Sequence, residues 1–171
     1  METIKKQIDR EQLNKEEYIE IIKEAGEILK KGGLVAFPTE TVYGLGADAL
    51  NEFAAQKIYE AKGRPSDNPL IVHIGRIEDL EEIAEIIPDN ARVIAERYWP
   101  GPLTMIFEKT ERVPYGITGG LDTVAVRMPD NPEARELILA GGGFIAAPSA
   151  NTSGRPSPTT ARHVVEDLDG R

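Results

Sequence analysis

Thr123-Val124-Ala125-Val126-Arg127-Met128-Pro129-Asp130-Asn131-Pro132 leads through Glu133–Ala140 and Gly141-Gly142-Gly143 to Phe144-Ile145-Ala146-Ala147. It reads as strand, helix, strand. Thr123–Arg127 alternates, with Val124 and Val126 on one face and Thr123, Ala125 and Arg127 on the other. Asn131-Pro132 is a helix start, since asparagine caps and proline suits the first turn. The glycine cluster stops that helix, and Phe144–Ala147 is a short apolar strand. The same alternation of elements extends upstream. Asn14 with Glu17 forms a capping box for a helix carrying Tyr18, Ile21, Ile22, Ala25, Ile28 and Leu29, ended by Gly32. Strands are predicted at Leu34–Phe37, Leu70–Ile74 and Leu103–Phe107. Helices are predicted from Asn51 through Ala61, over Ile77–Ile87 and Pro88–Tyr98, and from Thr159 or Thr160 to Leu168. An α/β domain with a mixed sheet follows. The 171 residues fit one domain, 1–171, and the turn signal Asp169-Gly170-Arg171 falls where a further strand is expected, so the sequence reads as cut short.

Composition narrows the function classes. There is no cysteine, hence no disulfide framework, thiolate metal site or cysteine nucleophile. No long apolar run is present and Met1–Lys15 is polar, so a soluble, cytoplasmic protein is expected. The net charge is −9, which opposes binding of a long polyanion. The charge is unevenly spread: Glu78–Asp89 holds six acids and no base, whereas Phe144–Val165 holds Arg155, Arg162, His163 and no acid. An acidic body with basic loops suits a small anionic ligand.

The loops carry the chemistry. Pro38-Thr39-Glu40-Thr41-Val42-Tyr43-Gly44-Leu45-Gly46 puts three hydroxyls at alternating positions; on local sequence alone it also reads as a well-bonded turn. Gly44–Ala49 imitates a dinucleotide fingerprint, but six residues separate its first glycine from the preceding strand, and the fingerprint needs that glycine in the turn itself. Lys62-Gly63-Arg64-Pro65 sets two cations on a loop stiffened by Pro65 and Pro69, suited to a phosphate or carboxylate. A lone strand histidine such as His73 is structural by default, although alternation places it opposite Val72 and Ile74, toward a cleft. Arg127, at a strand end before Met128-Pro129, suits a carboxylate ligand or a surface ion pair. Trp99-Pro100-Gly101-Pro102 reads as a structural turn. Pro148–Thr159 is dense in Ser, Asn and Thr donors and follows a strand, the usual place for anionic ligands in α/β sheets. Neither a P-loop nor a metal-ligand cluster occurs, and G-x-S-x-G is absent.

Taken together, Pro38–Gly46, Lys62-x-Arg64-Pro65 with Asn68–Ile74, Trp99–Thr104, Val124–Arg127, Ser149-Ala150-Asn151, Ser153-Gly154 and Ser157-Pro158-Thr159 resemble the YrdC-like threonylcarbamoyl-AMP synthases. The resemblance runs in family order across nearly the whole chain. It implies a twisted mixed sheet with flanking helices around a large concave, positively charged cleft. It implies a nucleotidyltransferase that makes threonylcarbamoyl-AMP and pyrophosphate from L-threonine, bicarbonate and ATP for tRNA threonylcarbamoyladenosine modification. Lys62 and Arg64 are then the catalytic cations on the phosphates. Asn68, Thr123, Ser149, Asn151 and Ser157 hold ATP, and Thr39, Thr41, His73 and Arg127 hold threonine. No tightly bound cofactor or protein-held metal is implied; Mg²⁺ comes with ATP. Implied partners are tRNA-modification proteins that accept the adenylate and, weakly, tRNA. A double-stranded RNA or tRNA-binding module on the same concave face is the alternative. Asn131 stands where the family usually has histidine, the family's Gly-x-Glu-Ser-Thr segment lies beyond Arg171, and longer members carry a second domain.

Overall fold

The computed structural model describes residues 3–8 and 14–171. Helix α1 (Lys15–Lys30) begins as its sequence dictates: Asn14 Oδ1 accepts from the backbone N–H groups of Glu16 and Glu17, each at 3.0 Å, and Glu17 Oε2 accepts from Asn14 N–H at 3.1 Å. Then come β1 (Val35–Phe37), β2 (Gly44–Asp48), α2 (Glu52–Lys62), β3 (Ile71–Ile74), a 3₁₀ turn at Ile77–Asp79, α3 (Leu80–Ile83) and α4 (Asp89–Tyr98). The chain continues through β4 (Thr104–Glu108), α5 (Tyr115–Thr118), β5 (Thr123–Arg127), α6 (Pro132–Ala140), β6 (Phe144–Ala146) and α7 (Ala161–Leu168).

The strands form one six-stranded mixed sheet in the order β1-β2-β6-β3-β5-β4. β3 and β5 are parallel, and the other neighbours are antiparallel. Register assigns each side chain to a face. Val72, Val126, Ala146, Phe107 and Val124 share one face and enter the main core with Ile58, Tyr59, Ile83 and Ile117. The opposite face is only half covered. At its β6 end, Ile145 packs with Phe37, Leu29, Ala134, Leu137 and Ile138, between α1 and α6. The two helices meet closely because Gly26 has no side chain; a Cβ there would lie 2.7 Å from the Ala140 backbone. Toward β5 and β4 the helices stop. Ile71, Ala125, Thr123 and Thr104 on this face are half-buried, and Ile106 is 70% exposed. This stretch of the sheet face is left bare of helices.

Three elements depart from the sequence-based expectation. Gly44–Asp48 is strand rather than loop. Its glycines hide the alternation by which a strand is read, and they are needed: a Cβ on Gly46 would lie 2.8 Å from the Ile145 side chain. The helix expected over Ile77–Ile87 stops at Ile83, because the chain is taken up by the outer edge of β4, with Glu85 N–H donating to Glu108 O at 2.8 Å and Thr110 N–H to Ile83 O at 3.0 Å. The short helix α5 lies where none is expected, as four residues carry no periodicity. No helix among the described residues is long and apolar enough to cross a membrane.

Candidate active site

Alternation in β5 carries Arg127 onto the bare face, next to Thr104 on one side and His73 on the other. Its guanidinium has three acceptors. Nη2 donates to Glu40 Oε1 at 2.5 Å and Thr41 Oγ1 at 3.2 Å, and Nε donates to Gly101 O at 3.3 Å. The Trp99–Pro102 turn is therefore more than a connector; it holds one edge of this arginine. Thr39 Oγ1 donates to Val42 O at 2.6 Å and lies 3.0 Å from Thr41 Oγ1, so the Thr41 hydroxyl is the donor in that pair and an acceptor toward Arg127. Burial alone would raise the Glu40 carboxyl's pKa; the Arg127 hydrogen bond and charge outweigh it and hold the group below its usual range.

His73 stands on this face as alternation predicts, but it is only 4% exposed. Its Nδ1 is 3.1 Å from Ile71 O and its ring meets the edge of Phe37. Burial, then the neighbouring Arg127 charge, pull its pKa down to about 4, so it is neutral at pH 7. The structure thus places His73 behind Arg127 as a buried support rather than as an open lining residue, because α1 and α6 cover that end of the face.

The second group of residues lies where the Pro148–Pro158 segment crosses the end of α2. Sequence puts Lys62 on an exposed loop. It is instead the last residue of α2, 2% exposed. Its Nζ donates to Ser149 O and, at 2.6 Å, to Asn151 O, while Ser153 N–H donates to Lys62 O at 2.8 Å. Burial, with the Arg64 charge second, lowers the Lys62 pKa to about 8, against the opposing pull of Asp167. Arg64 follows Gly63, which takes the left-handed conformation that ends α2, and donates from Nη2 to Pro69 O at 3.2 Å. Its Nε is buried without a partner. Asn151 donates from Nδ2 to Thr152 O at 2.9 Å and Arg155 O at 2.8 Å, and its Oδ1 is buried and unpartnered. An orphaned donor and an orphaned acceptor beside two cations suit a ligand that carries both kinds of group.

The loops are stitched together. Tyr43 N–H donates to Pro158 O at 2.9 Å, Ala150 N–H to Tyr43 O at 2.8 Å and Leu45 N–H to Pro148 O at 2.9 Å. Hydroxyl loop, basic segment and Ser/Asn loop thus form one unit with Lys62 at its base. Among the other expected ATP residues, Asn68 and Ser157 are exposed. Thr123 shares the bare face with Arg127 but stands at the far end of β5, beside an acid-rich depression of about 350 Å³ lined by Glu85, Glu108, Glu111 and Asp122.

Two residues were not found from sequence. Glu40 is one; its signal is an acid among hydroxyls in a loop chosen for ligand binding. Asp167 is the other. Its side chain is 7% exposed, accepts from Thr152 N–H at 3.0 Å and pairs with Arg155, so α7 fixes the Ser/Asn loop from behind. An acid in the last turn of a helix is opposed by the helix dipole, and that mismatch was a legible sign of another duty.

The Sua5/YciO/YrdC family model, described as telomere recombination, matches residues 27–171. The chain belongs to this family. Threonylcarbamoyl-AMP synthase of Pyrococcus abyssi is 59% identical over 150 residues, covering 88% of this chain and 44% of the relative. The Bacillus subtilis protein of that name is 57% identical, covering 88% and 44%. The chain therefore spans less than half the length of those two relatives, whereas it covers 80% of the Pseudomonas paraeruginosa synthase, at 39% identity. The solved structure of P. abyssi Sua5 complexed with L-threonine superposes with a TM-score of 0.86 at 59% identity, covering 87% of this chain and 44% of that one.

Proposed function

We propose that this family member forms L-threonylcarbamoyl-adenylate and pyrophosphate from L-threonine, bicarbonate and ATP. The observation that carries the reading is the Arg127 guanidinium, held by Glu40, the Thr41 hydroxyl and Gly101 O on a bare sheet face, in a protein whose Ser/Asn loop gathers Lys62 and the orphaned Asn151 Oδ1. Support comes from the relatives named as threonylcarbamoyl-AMP synthases and from the relative complexed with L-threonine.

In this reading Arg127 takes the threonine carboxylate, and Thr39 and Thr41 take its hydroxyl. The amine adds to CO₂ derived from bicarbonate and loses a proton, giving a carbamate. A carbamate oxygen attacks the α-phosphorus of ATP, and pyrophosphate leaves with the bonding pair. No covalent enzyme intermediate is needed; positioning and charge stabilisation suffice. Two Lys62 N–H groups serve Ser149 O and Asn151 O, leaving the third for a phosphate oxygen. Arg64 and Ser149 complete the phosphate site; Asn151, whose two N–H bonds are committed to Thr152 O and Arg155 O, offers Oδ1 as an acceptor for a donor group of the nucleotide. Asn68, Ser157 and Thr123 bear on the nucleotide. Mg²⁺ arrives on the triphosphate; among the described residues no group of three or more His, Asp or Glu is gathered to hold it alone. The product supplies tRNA threonylcarbamoyladenosine formation through partner proteins in the cytoplasm.

Calorimetry with ATP and L-threonine, separately and together, tests the reading. Binding of both, with pyrophosphate release once bicarbonate is added, is the expected result. RNA binding with steep salt dependence and no nucleotide binding would replace it with the RNA-module reading.

A further inference from the structure

The Arg127–Glu40 pair poses a problem for any carboxylate ligand. The two side chains are 11% and 22% exposed, and the carboxylate sits 2.5 Å from the guanidinium. Arg127's charge is thus already neutralised. A simple anion approaching it meets Glu40 at the same moment, and two carboxylates at one guanidinium repel. An α-amino acid differs. It carries an ammonium one carbon from its carboxylate, so a zwitterion can lie against the ion pair with each charge facing its opposite. Oε1 of Glu40 is committed to Arg127, but a carboxylate has about four acceptor positions, which leaves room for an ammonium donor.

On the reading that this site takes threonine, we infer that Glu40 is a specificity-determining residue: it binds the substrate ammonium and makes the site select an amino acid over the corresponding hydroxy acid. Once the nitrogen is carbamoylated it no longer carries a positive charge, its attraction to Glu40 ends, and Glu40 is returned to Arg127 alone. The low Glu40 pKa agrees with a group that stays charged through this exchange. It also makes Glu40 a poor base for the ammonium proton, so its part is recognition.

The test compares L-threonine with the 2,3-dihydroxybutanoate of the same configuration, in which a hydroxyl replaces the ammonium, by calorimetry on the full chain. ATP binding serves as the check that each variant is folded. The wild type is expected to bind threonine at least tenfold more tightly than the hydroxy acid. Glu40→Gln keeps a polar group against Arg127 but leaves the guanidinium charge uncompensated. Its affinity for the hydroxy acid should rise about tenfold while that for threonine falls, bringing the two within about threefold. Glu40→Asp, which keeps the charge, should keep the preference. A gain in affinity for one ligand is not something a merely structural role produces. If Glu40→Gln binds both ligands more weakly and still prefers threonine by the wild-type factor, the assignment of Glu40 is overturned and the threonine site stands. If the wild type binds no threonine, both fall.

Discussion

Lys62→Met separates a buried brace from a surface cation. The substitution keeps most of the stem and removes the donor, leaving Ser149 O and Asn151 O without the ammonium that both accept from. Each orphaned buried carbonyl costs ~1–3 kcal/mol. Against this stands relief from burying a charge: the fall in pKa from 10.5 to about 8 corresponds to roughly 3 kcal/mol. For two carbonyls the net at pH 7 should centre near a loss of about 1 kcal/mol and not exceed about 3 kcal/mol, read from the midpoint in urea with an unchanged slope. The pH dependence is sharper. The folded pKa lies below the unfolded one, so between about pH 8 and 10.5 the unfolded chain binds more protons, and the Lys62 contribution grows as pH rises through that window and is lost as pH falls through 8. The gap between wild type and Lys62→Met should therefore widen by roughly 2 kcal/mol from pH 7 to pH 10, since every other titrating group is common to both. Equal stabilities with a gap flat in pH would show that Lys62 is not held as described.

Arg127→Lys should weaken threonine binding more than tenfold with ATP binding nearly unchanged, because lysine cannot match a planar fork worth about 1.5–3 kcal/mol; separate titrations decide it, and a loss confined to ATP would move Arg127 to the nucleotide. Asp167→Ala strips Thr152 N–H and Arg155 of their shared partner, and should raise KM for ATP while leaving KM for threonine close to wild type. His73→Gln should cost stability at pH 7 but less and less toward pH 4: the folded pKa of about 4 lies below the unfolded 6.5, so the histidine's own contribution is complete above 6.5 and lost as pH falls through 4. A gap that widens with acid in paired urea melts would contradict a neutral, buried His73.

Where local chemistry decides structure, the sequence was readable. Asn14 with Glu17, Asn51 and Asn131-Pro132 cap α1, α2 and α6 as their types require. The alternation in Thr123–Arg127 correctly assigns its two faces. β2 was not readable, because glycines chosen for close packing under Ile145 leave no pattern. The site was legible as a set of residue types and not as a geometry. Lys62 finds its acceptors 87 and 89 residues away, and Arg127 finds Glu40 87 residues away. No local rule distinguishes a buried lysine in a helix's last turn from an exposed one. Nor does the spacing of Val164 and Leu168, the buried residues of α7, announce that Asp167 will reach Thr152, since that depends on how the loop is laid across α2.

Helix α7 adds no strand to the sheet, yet it and the residues that follow it touch both ends of the described chain and the Ser/Asn loop. Asp169 at its end pairs with Lys5 at 2.7 Å, Gly170 N–H donates to Thr3 Oγ1 at 2.8 Å, Arg171 donates to Ala61 O at 3.3 Å, and Asp167 holds Thr152. Its own apolar contribution is small, Val164 and Leu168 against the main core. A helix held by many polar ties and few buried side chains is a natural unit for opening without global unfolding. When it lifts, the Thr152 amide loses its acceptor while Ser153 N–H keeps Lys62 O, so in hydrogen exchange the Thr152 amide should follow the rate of α7 and the Ser153 amide that of α2.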